Sequence, residues 1–530
     1  MTNSTNLPAG YKGVNQASTQ AALQFPFCYN LYNFNTTNNG IVLRNGDASF
    51  TNLSISNLNA TQGMGQYGDT YLMAVVYDTV TSENKFYNME TGALIYTTAA
   101  AGIGQFYPQY FNGELFFFSP TAAYSPGVKF NSSLVQSAIG YTGATTLALS
   151  GAGCKYKNRQ YIVQGSEPAY WYSGIDAVAG ALTKIDLGGI LNNHSNLGNI
   201  APFTLSDGNN SEELLAFCFN NGEILFYRGS YPDSSDWSIA GKAKIGQLAS
   251  IGRSTFAYQG DTIVLCDSGI VSLRELFLSG SQNALNLSVN NYVQETWTTI
   301  IKLARAALGL YNGGIGAAVS GIWDELNSRI YILVPFSYIP FNAASFSTSG
   351  NFFFVFDAIR QAWSFHSSGS TASAPVFAAM RYYKTKKILL MRQGASTGIK
   401  AVEKEGSTGF MDRNINNSAD LAYNFNFTSA PIPFPKTEVY ETTQIEPIIQ
   451  SDLYAQTSWY LIADFGRQTT NAQTTDASTT APAKPAVNVG LQNITFVQVQ
   501  MSGSTVTGKT VGLTLYSFNV WYNRGEVGSR

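Results

Sequence analysis

Two histidines in 530 residues leave little room for imidazole chemistry. His194 sits in the polar loop Asn192-Asn193-His194-Ser195-Asn196, and His366 ends a strand that carries Trp363. A surface or turn role is expected for each, ahead of catalysis. Charge is also scarce: Asp, Glu, Lys and Arg make 12% of the chain, about half the usual share. The net charge is −2, so a basic face that grips nucleic acid through its phosphates is not expected. The cysteines, at 28, 154, 218 and 266, lie far apart and form no Cys-x-x-Cys pair. They read as buried thiols of a reduced compartment rather than a disulfide framework. No apolar run approaches the roughly 18 residues that cross a bilayer as a helix, so no membrane anchor is expected. Residues 1–10 lack the basic and apolar regions of a secretory leader. Without a leader, the Asn-x-Ser/Thr triplets at Asn35, Asn52, Asn131 and Asn493 are read as chance in an Asn- and Thr-rich chain.

What the chain does have is apolar bulk and turn formers. Hydrophobic residues make 45% and aromatics 13%, with 31 Tyr and 33 Phe, enough for a large core. Asn, Ser, Thr and Gly supply the polarity, and they favour strands and turns because they compete with helical backbone bonding. The length suits roughly two to four ordinary domains, or one large repeat architecture with attachments. The stretch from Gly260 to Leu276 displays a unit that recurs. A turn at Gly260-Asp261 leads into Ile263, Val264 and Leu265; a second turn at Asp267-Ser268-Gly269 leads into Ile270, Val271 and Leu273. This reads as an antiparallel hairpin, with Cys266 a buried filler.

Variants follow along the chain. Gly68-Asp69 precedes Tyr71-Leu72-Met73-Ala74-Val75-Val76-Tyr77, and Asn112-Gly113-Glu114 precedes Leu115-Phe116-Phe117-Phe118. Lys157-Asn158 precedes Tyr161-Ile162-Val163, Asn221-Gly222 precedes Ile224-Leu225-Phe226-Tyr227, Asn327-Ser328 precedes Ile330 to Val334, and Lys386-Lys387 precedes Ile388 to Met391. The spacing, roughly 40 to 70 residues, is that of propeller blades with insertions. Short strands that are apolar throughout suit sheets covered on both faces by neighbouring sheets. Phe352-Phe353-Phe354-Val355-Phe356-Asp357, followed by Gln361-Ala362-Trp363, adds a strand, a turn and a Trp-bearing strand. The fold class is therefore all-β: an irregular propeller of six or seven blades, an additional C-terminal β region, and one or few short helices.

Residues 1–26 are expected as an N-terminal arm of the kind that docks on a neighbouring subunit. Residues 27–436 are expected as the propeller with insertions, and 437–530 as C-terminal strands that close or flank it. One helix is predicted over 293–308, where Val293, Trp297, Ile300, Ile301, Ala304 and Leu308 share a face. It plugs or braces the propeller, or is offered to a partner subunit. The Pro431-Ile432-Pro433-Phe434-Pro435 stretch is a stiff connector, and the Thr/Ala/Pro-rich 469–485 a mobile loop. The last two strands each slip phase. Ile494 and Phe496 share a face before Val497 and Val499 take the other, and Leu513 and Leu515 give way likewise to Phe518 and Val520. A bulge at each slip, or burial of both faces, accounts for this.

Motifs of chemistry fail on inspection. Gly394-Ala395-Ser396-Thr397-Gly398 fits a nucleophile elbow, but no histidine follows it and Gly406 cuts short any helix, so it reads as a hairpin turn. Asp412-Arg413-Asn414-Ile415-Asn416-Asn417-Ser418-Ala419-Asp420 has calcium-loop spacing, yet Asn417 stands where Gly is required and Tyr423 where Glu is. Asp324-Glu325 and Glu403/Glu405 are nominal carboxylate pairs for sugar cleavage, better read as solvated turns. Arg381, Lys384, Lys386, Lys387 and Arg392 cluster about a hairpin, solvating it or forming a subunit contact. Tyr170-Trp171-Tyr172 packs in a blade core or stacks on sugar or bases. No catalytic, cofactor-binding or metal residues are expected.

Several stretches together resemble the tail nozzle (tail-hub) proteins of short-tailed bacteriophages. They are Tyr29-Asn30-Leu31-Tyr32 with Gly40 to Gly46; Thr262 to Gly269 with Arg274-Glu275-Leu276; Trp323 to Pro335 with Phe354 to Asp357 and Gln361-Ala362-Trp363; and Met501-Ser502-Gly503 with Tyr522 to Gly525. The resemblance implies a non-enzymatic virion protein of the tail, a propeller-bearing subunit of a homo-hexameric ring below an adaptor protein and beside tail fibre or spike proteins. Such a ring retains the genome and passes viral DNA during ejection without sequence-specific binding. A near-neutral surface suits a conduit, because every phosphate contact slows transit. The alternative expectation is a tail-associated glycan-binding or glycan-degrading propeller.

Overall fold

The computed structural model of the chain describes residues 2–9, 12–14, most of 28–143, most of 153–280, 293–308, most of 319–405 and, of 424–524, the strands named below. Among the described residues, seven antiparallel blades of three or four strands follow one another from residue 58 to residue 403, the sixth continuing into a larger sheet. Blade 1 comprises Leu58–Tyr67, Tyr71–Asp78, Glu83–Asn88 and Leu94–Thr97. Blade 2 comprises Tyr107–Phe111, Glu114–Phe118, Gly127–Phe130 and Gln136–Ala138. Blade 3 comprises Cys154–Tyr156, Arg159–Val163, Ala169–Tyr172 and Thr183–Asp186. Blade 4 comprises Leu197–Ser206, Ser211–Phe219, Glu223–Arg228 and Ser238–Lys244. Blade 5 has three strands, Thr255–Tyr258, Asp261–Cys266 and Gly269–Ser272. Blade 6 comprises Ser320–Asp324, Arg329–Val334, Phe352–Asp357 and Ala362–Ser367. Blade 7 comprises Val376–Tyr383, Lys387–Gln393 and Ile399–Glu403, and its fourth strand is Ala48–Ser49, which pairs with Val402 and Glu403. The first strand of blade 1 lies against the first strands of blades 2 and 7, which closes the ring. The fold is a seven-bladed β-propeller whose last blade is completed by the N-terminal part of the chain.

Strand alternation explains why these sequences must stack. In blade 2, Leu115 and Phe117 face blade 1, while Phe116 and Phe118 face blade 3. In blade 4, Leu215, Phe217 and Phe219 pack on blade 3, while Leu214, Ala216 and Cys218 pack on blade 5. A sheet with both faces apolar is stable only between two others, and each such Phe stabilises the stack by about 1.5–3 kcal/mol on burial. Tight turns set the register. Asn112-Gly113, Lys157-Asn158 and Gln259-Gly260 all hold positive φ at both central positions.

The expected tail of the hairpin at 260–276 is a helix. Leu273–Ser279 (α1) takes the place of a fourth strand in blade 5 and packs Leu273 and Leu276 into the core against blade 4. Ser272 caps it, accepting from the Glu275 N–H at 3.0 Å. Ser272-Leu273-Arg274-Glu275 is a capping box, the signal that outweighed the strand pattern. The second helix, Gln294–Leu308 (α2), stands where its apolar periodicity predicts, with Trp297, Ile300, Ile301 and Ala304 buried. It braces blade 5: the Trp297 indole donates to the Cys266 carbonyl at 2.9 Å, and Arg305 lies 3.4 Å from Asp267.

A β-sandwich built from both ends of the chain lies beside the propeller. One sheet joins Thr2–Pro8, Phe34–Thr36 and Ile41–Leu43 to Tyr440–Ser451, Thr479–Ala483, Val487–Ile494 and Thr514–Arg524. The other runs on from blade 6 through Cys28–Tyr32, Asn424–Ser429, Phe496–Ser504 and Gln456–Ala463, giving eleven strands in all. The Phe34–Phe425 and Phe427–Phe518 ring contacts, 5.6 and 6.1 Å between centroids, join the two sheets. The expected boundaries differ from this. Residues 2–8 pair in register with 517–523 of the same chain, and strands within 28–43 and 424–429 belong to the sandwich. The expected loop at 469–485 holds two strands, Gln473–Asp476 and Thr479–Ala483; its Thr residues satisfy a ladder as readily as a loop. The slip after Leu515 is a bulge, with Tyr516 left over between the pairs Ile449–Leu515 and Ile448–Ser517. The slip near 495 falls where one strand ends in the first sheet and the next begins in the second.

Candidate functional site

The densest charged cluster among the described residues lies where blade 6, the end of blade 7 and the N-terminal strands meet. Glu405 follows the last strand of blade 7 with φ of 55°, a left-handed conformation that a side chain rarely adopts unless its surroundings hold it. The surroundings do so. Tyr331 donates its hydroxyl to Oε1 at 2.8 Å, and Asn35 donates its amide to Oε2 at 2.8 Å. The Arg329 guanidinium is 3.4 Å from Oε2, and the His366 Nδ1 is 3.5 Å from Oε1. A second set of bonds continues the junction. The Arg44 Nε donates to Asn33 Oδ1 at 3.0 Å and its Nη2 to the Ser367 carbonyl at 2.6 Å, while the Ser367 N–H donates to Asn33 Oδ1 at 2.8 Å.

Burial penalises the charge on Glu405, but Arg329 and Lys404 and the Tyr331 bond outweigh it and hold the carboxyl well below the usual range. For His366 burial dominates, and with Lys404, Arg44 and Arg329 it keeps the ring neutral against the pull of Glu405. Burial also pushes the Tyr331 hydroxyl well up, and Glu405 adds to this. The result is a charged carboxylate, partly reached by water, beside a neutral imidazole that is fully buried. It is suited to holding three segments in one arrangement, and offers no exposed nucleophile.

The sequence singled out His366 and Glu405 separately; the structure brings them together. Arg44, Asn33, Asn35, Arg329 and Tyr331 were missed as members. Their only signal is polarity set inside apolar strands, and their partners lie more than 300 residues away for Asn33, Asn35 and Arg44. The other candidates fall elsewhere. His194 is exposed in a loop whose Asn192 and Asn193 N–H groups donate to Glu223. Asp324 is buried and accepts from the N–H groups of Leu326 and Asn327, a turn cap with its carboxyl raised chiefly by burial; Glu325 is exposed beside it. Tyr170, Trp171 and Tyr172 are core residues: Tyr170 meets Phe217 at 4.6 Å, Trp171 donates to Gln164, and Tyr172 donates to Asp233. Burial pushes the Cys218 thiol up to about 12 and raises Cys154 and Cys266 as well; all three are free. Gly394 to Gly398, Asp412 to Asp420, Lys384 and Lys386 lie outside the described residues, as do the side chains of Cys28, Arg381, Lys387, Arg392 and Glu403. Among the described residues no group of three or more His, Cys, Asp or Glu could hold a metal ion, and no helix is long and apolar enough to cross a membrane.

The axis of the propeller is the other natural place for a site. At one mouth, Arg253, which precedes the first strand of blade 5, places its guanidinium over the Tyr107 ring of blade 2 at 5.8 Å. Blades 2 and 5 are not neighbours, so this contact narrows the opening between the innermost strands.

The geometry defines a seven-bladed propeller fused to a sandwich. No protein-family profile matches the chain, and no curated protein does. Among solved structures it is similar to Chaetomium thermophilum Raptor (TM-score 0.38, 10% identity), over 66% of this chain and 29% of that one. It is also similar to the Cps50 (Swd1) β-propeller domain of Myceliophteria thermophila (TM-score 0.37, 8% identity, 68% and 99% covered). A third similar structure is BBS1N in complex with ARL6DN (TM-score 0.33, 10% identity, 69% and 99% covered).

Proposed function

We propose that the chain is a non-enzymatic virion protein, one subunit of the ring-shaped tail nozzle of a short-tailed bacteriophage. In this reading copies assemble as a hexamer on an adaptor protein, contact tail fibres or spikes, retain the genome and pass viral DNA without reading its sequence. The observation that carries the reading is the sheet that runs without a break from blade 6 into the sandwich. It links propeller and sandwich by backbone pairing, at Tyr32 and Phe365, as a continuous wall requires. The narrowed propeller axis adds a constraint. Duplex DNA, about 20 Å across, runs between copies, through the lumen of the ring, and not through any one propeller. The scarcity of charge supports passage over binding.

Electron microscopy of the purified chain with its adaptor tests the proposal. Sixfold rings with an open lumen are expected. A chain that stays monomeric with the adaptor present overturns it. Shortening of host surface polysaccharide by the purified chain would instead favour the glycan-degrading alternative.

A further inference from the structure

We propose that blade 3 is held in the ring through internal water, with one hydration site on each of its faces: the Tyr161 and Tyr170 hydroxyls toward blade 4, and the Gln109, Gln160 and Glu114 side chains toward blade 2. Tyr161 and Tyr170 are 0% exposed, and their hydroxyls meet no hydrogen-bonding partner within the protein. The strand register makes them diagonal neighbours, since Tyr161 stands opposite Tyr172 and Tyr170 opposite Val163. Their rings are 5.8 Å apart. Phe217 of blade 4 lies 4.6 Å from Tyr170, and Trp237 lies nearly parallel to Tyr161 at 6.5 Å. These rings close the seam to bulk solvent.

The choice of tyrosine is the informative part. Phe217 and Phe219 pack in the same seam, and a phenylalanine at 161 or 170 would fill nearly the same volume without burying a hydroxyl. A buried phenol escapes the cost of desolvation only when its O–H is bonded. Two neighbours find protein acceptors: Tyr156 donates to the Glu213 and Gly229 carbonyls at 3.0 and 2.8 Å, and Tyr172 donates to Asp233. Burial pushes the Tyr161 and Tyr170 hydroxyls up, so each stays protonated, able to donate one bond and accept another. Water gives and takes hydrogen bonds and makes about three of them in a protein interior, so it is the ligand this chemistry selects.

The face toward blade 2 repeats the observation with other side chains. Gln109 is 9% exposed, and neither atom of its amide is bonded. Gln160 is 0% exposed; its Oε1 accepts from the Tyr141 hydroxyl at 2.5 Å, while its Nε2 goes unpaired, as does Glu114 Oε2. Turning the Gln160 amide over would orphan its other atom instead, and turning Gln109 gains nothing. Gln109 and Glu114 lie diagonally on adjacent strands, on the face of blade 2 that carries Phe116. Gln160 shares with Ile162 the opposing face of blade 3. Donors and acceptors thus face one another across the seam without bonding to each other, the setting in which water bridges.

Substitution tests this by sign. Tyr161→Phe and Tyr170→Phe keep the ring and remove only the hydroxyl. Tyr156→Phe, which removes a hydroxyl bonded directly to protein, sets the scale. With water on the two phenols, each of their variants melts below the unaltered chain by about 1–2 °C, as Tyr156→Phe does. An unbonded hydroxyl gives the opposite sign, because its removal relieves desolvation. Gln109→Met asks the same of the other face, and the same fall is expected. A rise, or no change, in any of the three overturns the proposal. A diffraction structure of the unaltered chain that shows buried waters elsewhere gives a second reading. Water within hydrogen-bonding distance of Tyr161, Tyr170 and Gln109 is expected; dry seams, or these groups bonded directly to protein, overturn it.

Discussion

The seams between blades 1 to 5 and the seam between blade 6 and the sandwich share apolar packing and differ in what accompanies it. The first are apolar and aromatic: Phe86, Phe117 and Phe130 meet edge-on or tilted at 5.2 to 5.9 Å. The second also keeps an apolar cluster, with Phe34, Phe354, Phe365 and Phe425 in it, and sets beside it Glu405, Arg329, Tyr331, His366, Arg44 and three amide or hydroxyl side chains. Apolar seams gain stability in proportion to area and tolerate small shifts. A buried polar seam gains little over an apolar one of equal volume, because desolvation offsets attraction, but it loses heavily when one member is removed. The difference teaches where each kind belongs. Repeated blades need adhesion, and a junction of three distant segments needs a single arrangement.

The largest effect is expected from deleting residues 2–49, which takes strands from both sandwich sheets and the fourth strand from blade 7. No cooperative thermal transition should remain; a surviving sharp melt would show that propeller and sandwich fold independently, and would break the comparison. Phe117→Ala, in an apolar seam, is expected to cost about 3–5 kcal/mol in denaturant titration. Glu405→Gln leaves Arg329 buried without its carboxylate and is expected to cost about 3 kcal/mol at pH 7. That difference has a pH signature. The folded carboxyl is held below its unfolded value, so its contribution is present above about pH 4.5 and fades as pH falls through the lower folded value. Denaturation midpoints of the Gln variant and the unaltered chain should therefore converge in acid, whereas Phe117→Ala should keep its deficit. Ser272→Ala, which removes the cap of α1, should cost about 1 kcal/mol, with faster amide exchange confined to 273–279.

The propeller was legible because each blade repeats one local pattern, and turns such as Asn112-Gly113 announce themselves in adjacent residues. The brace at 294–308 was legible from its apolar face. What the sequence concealed is whatever depends on distance along the chain. Thr2–Pro8 looks like a polar arm until its partner strand is known, and Ala48–Ser49 is too short to register as part of a blade 350 residues on. Glu405 reads as a solvated turn because the Asn35, Arg329 and Tyr331 side chains that engage it come from distant parts of the chain. At α1 the information was present: strand-like Ile270 and Val271 drew attention from the capping box beginning at Ser272.

The pairing of Thr2 with Asn523 and of Ala48 with Glu403 also sets a timetable. On the ribosome, the N-terminal strands emerge long before their partners exist. At ordinary synthesis rates the strand Thr2–Pro8 waits about half a minute to two minutes for residues 517–523. Blades 1 to 5 can stack as they appear, each on the one before. Ring closure and sandwich assembly come last and together, and until then the edges of blades 6 and 7 are open to other copies of the chain. Crowded synthesis should therefore favour exchange of the N-terminal strands between molecules, a kinetic hazard written into the order of the sequence.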